Sequence, residues 1–244
     1  MKVCTDACLF GAWVANQIFR EIKVAEPLHT PGNFRLQEFL EPPAFNTGIG
    51  RILDIGSGTG LLIMMLAQKI NCNLDGIEIE PDCFEQLKEN TSQNIWKERI
   101  KLLRDDVRNF SSDQPYDFIL SNPPFFDNDL NSATKGEQLA KHSKELSLEE
   151  LLEAIDRNLS TNGSFSVLLP YHRIEYFELR AINKGFFLSN KMLVRQTEKH
   201  GLFRGMLTFS RDYRQCTTEE MSIRINNEYS PEFIGLLKDY YLYL

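Results

Sequence analysis

The chain has 244 residues, of which 42% are hydrophobic and 25% are charged, and this is the composition of an ordinary globular protein. Its formal net charge of −7 argues against a surface that is basic throughout and binds nucleic acid without specificity. No apolar run approaches the roughly 20 residues that cross a bilayer, and no secretory signal opens the sequence, so we expect a cytoplasmic protein with no membrane partner.

The first fifty residues combine one helical pattern with a loop. The stretch ACLFGAWVANQIF predicts an amphipathic helix with Thr5 or Asp6 at its N-cap, and residues 26–48 are rich in Pro, Gly and Asn. From residue 51 onward the pattern becomes regular. We therefore expect a single domain over residues 1–244, with a helix and loop segment at 1–50 and the core at 51–244.

Short apolar runs alternate with helical stretches after residue 51. The runs RILDI, LDGIEI and IKLLRDD are separated by the helical patterns GLLIMMLAQKI and PDCFEQLKENTSQN. This order predicts a βαβαβ unit and a mostly parallel sheet.

The second half continues the alternation. It gives the strand YDFIL, a polar loop at 126–138, a helix through SLEELLEAIDRNL with a capping box from Ser147 to Glu150, and a turn at STNG. The strand SFSVLLP and the helix RIEYFELRAINKG follow. We expect FFLSNKMLV and GMLTFS to close the sheet in antiparallel fashion, and a terminal helix to begin after Ser230.

A glycine loop, DIGSGTG, lies between the first strand and the helix after it. Gly56, Gly58 and Gly60 allow a tight turn and a close approach of the backbone to a ligand. Leu61 occupies the place of the last glycine in the dinucleotide pattern G-x-G-x-x-G, which disfavours a pyrophosphate-binding site for NAD.

Acidic residues lie at the ends of the first three predicted strands. Asp54 precedes the glycine loop, Glu78 can accept hydrogen bonds from both hydroxyls of a ribose, and Asp106 can accept one from an adenine amino group. The glycine loop and these acids resemble the class I S-adenosylmethionine-dependent methyltransferases. The resemblance implies a Rossmann-like α/β fold with a seven-stranded, mostly parallel sheet, one antiparallel strand and helices on both faces. It also implies S-adenosylmethionine as the cofactor.

The sequence NPPF at 122–125, directly after the fourth strand, resembles the catalytic motif of methyltransferases that act on the N6 amine of adenine or on the side-chain nitrogen of glutamine. The side-chain oxygen of Asn122 and the carbonyl of Pro123 can accept both hydrogens of a conjugated amine and orient its lone pair. Phe125 offers a face on which a base can stack. We predict these three residues as catalytic, and Asn122 as cofactor-binding as well.

Both ends of the chain resemble one family. MKVCTDACLFGAW is similar to the opening M-K-V-x-T-D-x-x-L-L-G-A-W of the bacterial tRNA(Val) adenine-N6-methyltransferases, and NEYSPEFIGLLKDYYLYL is similar to their aromatic-rich tail. The resemblance implies that Thr5 and Asp6 line the cofactor pocket. It also implies that the substrate is the adenosine at position 37, on the 3′ side of the anticodon.

An excess of basic residues follows the fifth strand. Between residues 171 and 214 there are nine basic residues and four acidic ones. Because phosphate attraction positions RNA without reading its sequence, this segment is the candidate surface for the anticodon loop of a tRNA. The candidate contacts are Arg173, Lys191, Arg195, Lys199 and Arg204.

Neither the scattered cysteines nor the four histidines have metal-ligand spacing, so we predict no metal. Three alternatives to a tRNA methyltransferase stay open. The NPPF motif is shared with glutamine-N5 methyltransferases of release factors, which normally carry a separate helical N-terminal domain, and with DNA adenine methyltransferases, which need a target-recognition domain. A cofactor-binding or RNA-binding module without catalysis is the third.

Overall fold

The computed structural model describes residues 5–25, 49–124 and 146–241. The strands are Arg51–Ile55 (β1), Asn73–Glu78 (β2), Ile100–Arg104 (β3), Tyr116–Ser121 (β4), Leu159–Pro170 (β5), Phe187–Thr197 (β6), Leu202–Ser210 (β7), Thr217–Ile225 (β8) and Glu228–Tyr229 (β9). The α-helices are Thr5–Ala25 (α1), Leu61–Lys69 (α2), Pro81–Ser92 (α3), Leu148–Asn158 (α4), Ile174–Asn183 (α5) and Pro231–Leu237 (α6). Short 3-10 turns lie at Lys97–Arg99 and Tyr171–Arg173.

The strands form one sheet in the order β3-β2-β1-β4-β5-β7-β6-β8-β9. The first five strands in this order are parallel, and β7 runs antiparallel to both β5 and β6. The predicted α/β fold with a mostly parallel sheet is confirmed, but the described residues form nine strands where seven were expected. The two additional strands, β8 and β9, contain few apolar residues, namely Met221, Ile223 and Ile225 in β8 and Tyr229 in β9, so the sequence gives only a weak strand signal there.

Helices cover both faces of the sheet. On one face α1, α2 and α6 pack around a core that includes Phe10, Leu66 and Phe233. On the other face α4 and α5 pack around a second core with Ile155 and Phe177. These two cores make a three-layer arrangement, as expected for this fold class. None of the described helices is long and apolar enough to span a membrane.

Local signals in the sequence set several of the helix ends. The predicted capping box at α4 is present, since Ser147 Oγ accepts from the Glu150 N–H and Glu150 Oε2 accepts from the Ser147 N–H. Ser230 caps α6 and Pro231 is its first residue. The predicted turn at STNG is corrected. Residues 160–163 belong to β5 as a bulge, because Tyr116 pairs with Leu159 whereas Phe118 pairs with Ser164.

The parallel strands β1 to β5 all end at one edge of the sheet, which we call the carboxyl edge. The pairing of β7 with β5 and β6 brings the start of β7 and the end of β6 to the same edge. The opposite edge, which we call the amino edge, carries the start of β5 and the end of β7. Because side chains from well-separated parts of the sequence meet at the carboxyl edge, ligand sites of open α/β sheets lie there.

Candidate active site

The glycine loop turns tightly at the end of β1. Gly56, Gly58 and Gly60 have φ angles of 71°, 55° and 90°, in the left-handed region that favours glycine. The N–H groups of Gly56 and Ser57 donate to the carbonyl of Ile77, which ties the loop to β2. A Cβ atom at Gly56 would meet no atom within 4 Å, so the backbone there is open to a ligand. The loop therefore has the geometry that the sequence predicted.

Glu78 lies beside the glycine loop at the end of β2 and braces it. Its Oε2 accepts from the Gly58 N–H at 2.8 Å, and its Oε1 accepts from the Glu80 N–H at 2.8 Å. Each carboxylate oxygen can accept a second hydrogen bond, so Glu78 can hold the loop and bind hydroxyl groups at the same time.

Asp54 is a buried carboxylate at the end of β1. It is 1% exposed, and neither of its carboxylate oxygens has a hydrogen-bond partner among the residues that the structure describes. Burial raises the pKa of Asp54 to about 7; the neighbouring Ser57 side chain lowers it in part, and the charge of Glu78 raises it. A buried carboxylate without partners is costly, and a cationic or N–H-bearing ligand would stabilise it. Asp54 therefore fits a site for a positively charged group.

Asp106 follows β3 and already has a cationic partner. The Arg108 Nε donates to both carboxylate oxygens at 2.9 Å, and the Arg108 backbone N–H donates to Oδ1 at 3.0 Å. The Arg108 side chain thereby holds the pKa of Asp106 below its ordinary value. Asp106 is ionised and fixed in place at the carboxyl edge. Its contact with an adenine amino group stays a prediction.

Ile79 is a candidate site residue that sequence reasoning missed. It follows Glu78 directly and is 50% exposed. At this edge an isoleucine can cover the face of a heterocycle. The signal in the sequence was an apolar residue immediately after the acid that ends β2, and only its exposure in the folded structure separates it from a core residue.

The NPP segment is anchored next to the glycine loop. The Ser121 hydroxyl donates to the Ile55 carbonyl at 2.9 Å, and these two residues are also register partners in β4 and β1. Asn122 therefore lies level with Gly56. The Asn122 Oδ1 atom is buried and has no hydrogen-bond partner in the described part of the chain, and Pro123 is buried. This acceptor is available to a substrate amine. Phe125 lies outside the described residues.

Asp6 meets Arg204 at the carboxyl edge. The Arg204 Nε donates to Asp6 Oδ2 at 2.8 Å, and Arg204 is the register partner of Pro170 at the end of β5. Thr5 is exposed at the first residue of α1. The structure thus joins a residue predicted to line the cofactor pocket with one predicted to contact RNA, and it places both at the edge that carries Asn122.

The other predicted RNA contacts differ in position and in pairing. Arg195, near the end of β6, forms an ion pair with Glu220 of β8. Lys199 is exposed in the β6–β7 hairpin, and Arg173 lies in the turn after β5. Lys191 is in the middle of β6, away from the carboxyl edge, and forms an ion pair with Glu178 of α5. Four of the five candidates therefore lie at the edge of the sheet that carries Asn122.

Within residues 5–25, 49–124 and 146–241, no three His, Cys, Asp or Glu side chains come together as metal ligands. His29 and His142 lie outside these ranges. The expectation that the protein uses no metal stays a prediction.

Solved structures show which fold this edge belongs to. A predicted O-methyltransferase from Agrobacterium tumefaciens has a TM-score of 0.62 at 14% identity, over 83% of this chain and 94% of that one. A protein described as a class I S-adenosylmethionine-dependent methyltransferase, from Listeria monocytogenes, has a TM-score of 0.58 at 12% identity, over 88% of this chain and 64% of that one. These likenesses show that the fold is that of class I methyltransferases.

Sequence comparison identifies the family. The model of the "Methyltransferase small domain" family matches residues 36–169. The tRNA1(Val) (adenine(37)-N6)-methyltransferase of Dyadobacter fermentans is 35% identical over 99% of this chain and 91% of its own length. That of Tolumonas auensis is 36% identical over 99% of this chain and 90% of its own length. The chain belongs to the family of tRNA1(Val) (adenine(37)-N6)-methyltransferases.

Proposed function

We propose that this protein transfers a methyl group from S-adenosylmethionine to the N6 amine of adenosine 37 in tRNA1(Val). The observation that carries the proposal is the pair of buried, unpartnered acceptors at the ends of β1 and β4, the Asp54 carboxylate and Asn122 Oδ1. One fits a cationic cofactor and the other fits a substrate amine. The relatives that match this chain over nearly its whole length carry the name of this activity.

The cofactor site comprises the glycine loop and the acids beside it. The Asp54 carboxylate would bind the ammonium group of the methionine part, and Glu78 would bind the ribose hydroxyls while it braces Gly58. Asp106 and Ile79 would contact the adenine ring by its amino group and its face. Asp6, held by Arg204, and Thr5 would complete the pocket. S-adenosylmethionine supplies a methyl group that the sulfonium makes electrophilic.

The catalytic contribution of this chain is orientation of the amine. The lone pair of an adenine amine is delocalised into the ring, which makes the nitrogen a poor nucleophile. Asn122 Oδ1 and the Pro123 carbonyl would accept its two hydrogens, direct the lone pair away from the ring plane and stabilise the charge that develops on nitrogen. Phe125 would stack on the base. The surplus proton can leave afterwards, so no strong base is required.

Binding of the anticodon loop is assigned to the carboxyl edge beyond β4. Arg173 and Lys199, with the paired Arg195 and Arg204, would contact phosphates there. Lys191 is left out of this surface, because it lies in the middle of β6, away from the carboxyl edge. Residues 1–244 are proposed to act as a single methyltransferase domain.

The test is methyl transfer from labelled S-adenosylmethionine to bulk tRNA from a strain that lacks the activity, followed by nucleoside analysis. We expect label in N6-methyladenosine, and no label in tRNA1(Val) whose residue 37 is changed to guanosine. The Asn122→Ala variant gives the background level of label in tRNA without catalysis. Label on a protein such as a release factor, with none in tRNA, would overturn the proposal.

A further inference from the structure

We infer that the turn Tyr171–Arg173 is a docking site for the nucleotide next to the target adenosine, with Tyr171 stacked on its base and Arg173 paired with its phosphate. This inference rests on the proposed function and names a substrate contact within it. Three features support it: the position of the turn, the exposure of Tyr171 and the charge of Arg173. A similar pair of residues at the amino edge provides the control variants.

The turn lies next to the NPP segment. Strands β4 and β5 are parallel neighbours, and Ser121 is the register partner of Val167. Tyr171 therefore lies three residues further along the sheet than Asn122, or about 10 Å at the rise of an extended strand. This separation is comparable with the span of one splayed-out nucleotide. A base beside the target adenosine would reach Tyr171 while the target occupies the NPP segment.

Tyr171 is a large aromatic side chain left in solvent. It is 45% exposed, and its ring has no stacking or hydrogen-bonding partner within the described ranges. It comes directly after β5, the strand adjacent to the motif, at the edge where ligands bind in this fold. Stacking of an unpaired base on an exposed aromatic ring is the common mode by which single-stranded RNA is held. The anticodon loop supplies such bases.

Arg173 carries a charge that the described part of the chain does not neutralise. Its guanidinium lies 5.4 Å from the centroid of the Tyr176 ring, and it forms no ion pair with a described carboxylate. Arg180 approaches the same ring at 5.0 Å but is paired with Glu149 at 3.6 Å. Tyr176 thus contacts the Arg173 guanidinium and leaves its charge available. A guanidinium so placed binds phosphate through paired N–H donors.

A tyrosine and an arginine also lie next to each other at the amino edge, away from the candidate active site. Tyr213 is 79% exposed and Arg214 is exposed, and both follow the end of β7, on the opposite side of the sheet from Asn122. Tyr213 makes an edge-to-face contact with Phe187 at a centroid distance of 5.7 Å. Tyr213→Ala and Arg214→Ala are therefore matched controls for general effects of removing a surface tyrosine or arginine.

The first experiment measures steady-state methylation of full-length tRNA1(Val). Tyr171→Ala should raise KM for tRNA about tenfold, within the range for loss of one base–aromatic stack, with kcat and cofactor affinity within twofold of wild type. Tyr171→Phe should keep the wild-type KM. Arg173→Ala should lower the slope of log binding constant against log salt by about one, as expected for one lost phosphate contact.

The second experiment reports the stack directly. An anticodon stem-loop with 2-aminopurine in place of the nucleotide on either side of the target should show a fluorescence change on binding wild type, and the Tyr171→Ala variant should lose it. If wild type methylates tRNA but Tyr171→Ala behaves as Tyr213→Ala in both assays, the inference fails and the proposed function stands. If wild type does not methylate tRNA, both fail.

Discussion

The polar side chains named below in the two halves of the sheet differ in whether they have partners within the described part of the chain. In the parallel half, from β3 to β5, the strand ends carry Asp54 and Asn122 Oδ1, which are buried and have no partner among the described residues. In the mixed half, from β7 to β9, Arg195 is paired with Glu220, and Arg204 with Asp6. Unpartnered buried acceptors mark the place where a ligand supplies the missing donors, whereas a charge that is already paired can bind a ligand only by sharing or exchanging its partner.

The largest effect is expected at Asn122. Asn122→Ala removes an acceptor that orients the amine, and kcat should fall about 100- to 1,000-fold, the range for loss of one positioned hydrogen-bonding group. Cofactor affinity should stay within a few-fold of wild type. Single-turnover methylation and calorimetric titration of the cofactor measure the two quantities. A loss of cofactor binding as large as the loss of kcat would contradict the assigned role.

The next effect is expected at Glu78. Glu78→Gln keeps the shape but leaves one acceptor oxygen for the N–H groups of Gly58 and Glu80, and it removes the charge. Cofactor affinity should fall roughly 10- to 100-fold, which matches about 1.5–3 kcal/mol for a hydrogen bond to a charged group. Glu80→Gln, at the exposed neighbour, is the control and should bind as wild type does. Equal losses in both variants would place the effect in surface charge instead.

A pH dependence should follow from Asp54. Because its pKa without the cofactor is about 7, the carboxyl is mostly protonated at pH 6 and ionised at pH 8. A cationic ligand requires the ionised form, so cofactor affinity should rise with pH by up to about tenfold per unit below pH 7. Calorimetric titration at pH 6, 7 and 8 measures the slope. Asp54→Asn should bind weakly and show no slope, and a slope of the same size in that variant would assign the titration to another group.

The same shift has an opposite consequence for stability without the cofactor. The folded-state pKa of Asp54 is raised above the ordinary value of an aspartate, 3.8. The contribution of this carboxyl to stability is therefore complete below pH 4 and is lost as the pH rises toward 7, by about 1.4 kcal/mol per pKa unit. Asp54→Asn should be the more stable protein at pH 8. Urea unfolding of both proteins at pH 5 and pH 8 tests the sign.

The smallest effect is expected in the mixed half of the sheet, at Lys191. This side chain pairs with Glu178 in the middle of β6. Lys191→Met should leave KM for tRNA and its salt dependence within twofold of wild type, and should lower the free energy of unfolding by no more than about 1 kcal/mol. A marked rise in KM together with a lower salt slope would show that Lys191 contacts RNA. Ion pairing within the chain would then not distinguish structural charges from RNA-binding charges.

The sequence by itself determined the elements whose signals are local. The glycine loop, the acids at the ends of β1, β2 and β3, and the NPP segment were predicted at their observed places, because a strand, its final residue and the turn after it lie within about ten consecutive residues. The capping box of α4 is equally local. The bulge in β5 was predicted as a turn, since Ser, Thr, Asn and Gly favour turns and only the pairing with β4 shows that the strand continues.

The tertiary structure alone decided which charged side chains are paired within the chain and which are free to bind a ligand. Asp6 and Arg204 are 198 positions apart, and Arg195 meets Glu220 only because β6 and β8 pair in parallel. Likewise, the exposure of Ile79 and Tyr171 depends on where the sheet ends, and no local pattern in the sequence predicted it. Ion pairing and solvent exposure depend on distances between side chains in the folded chain, and no local pattern of residue types specifies those distances.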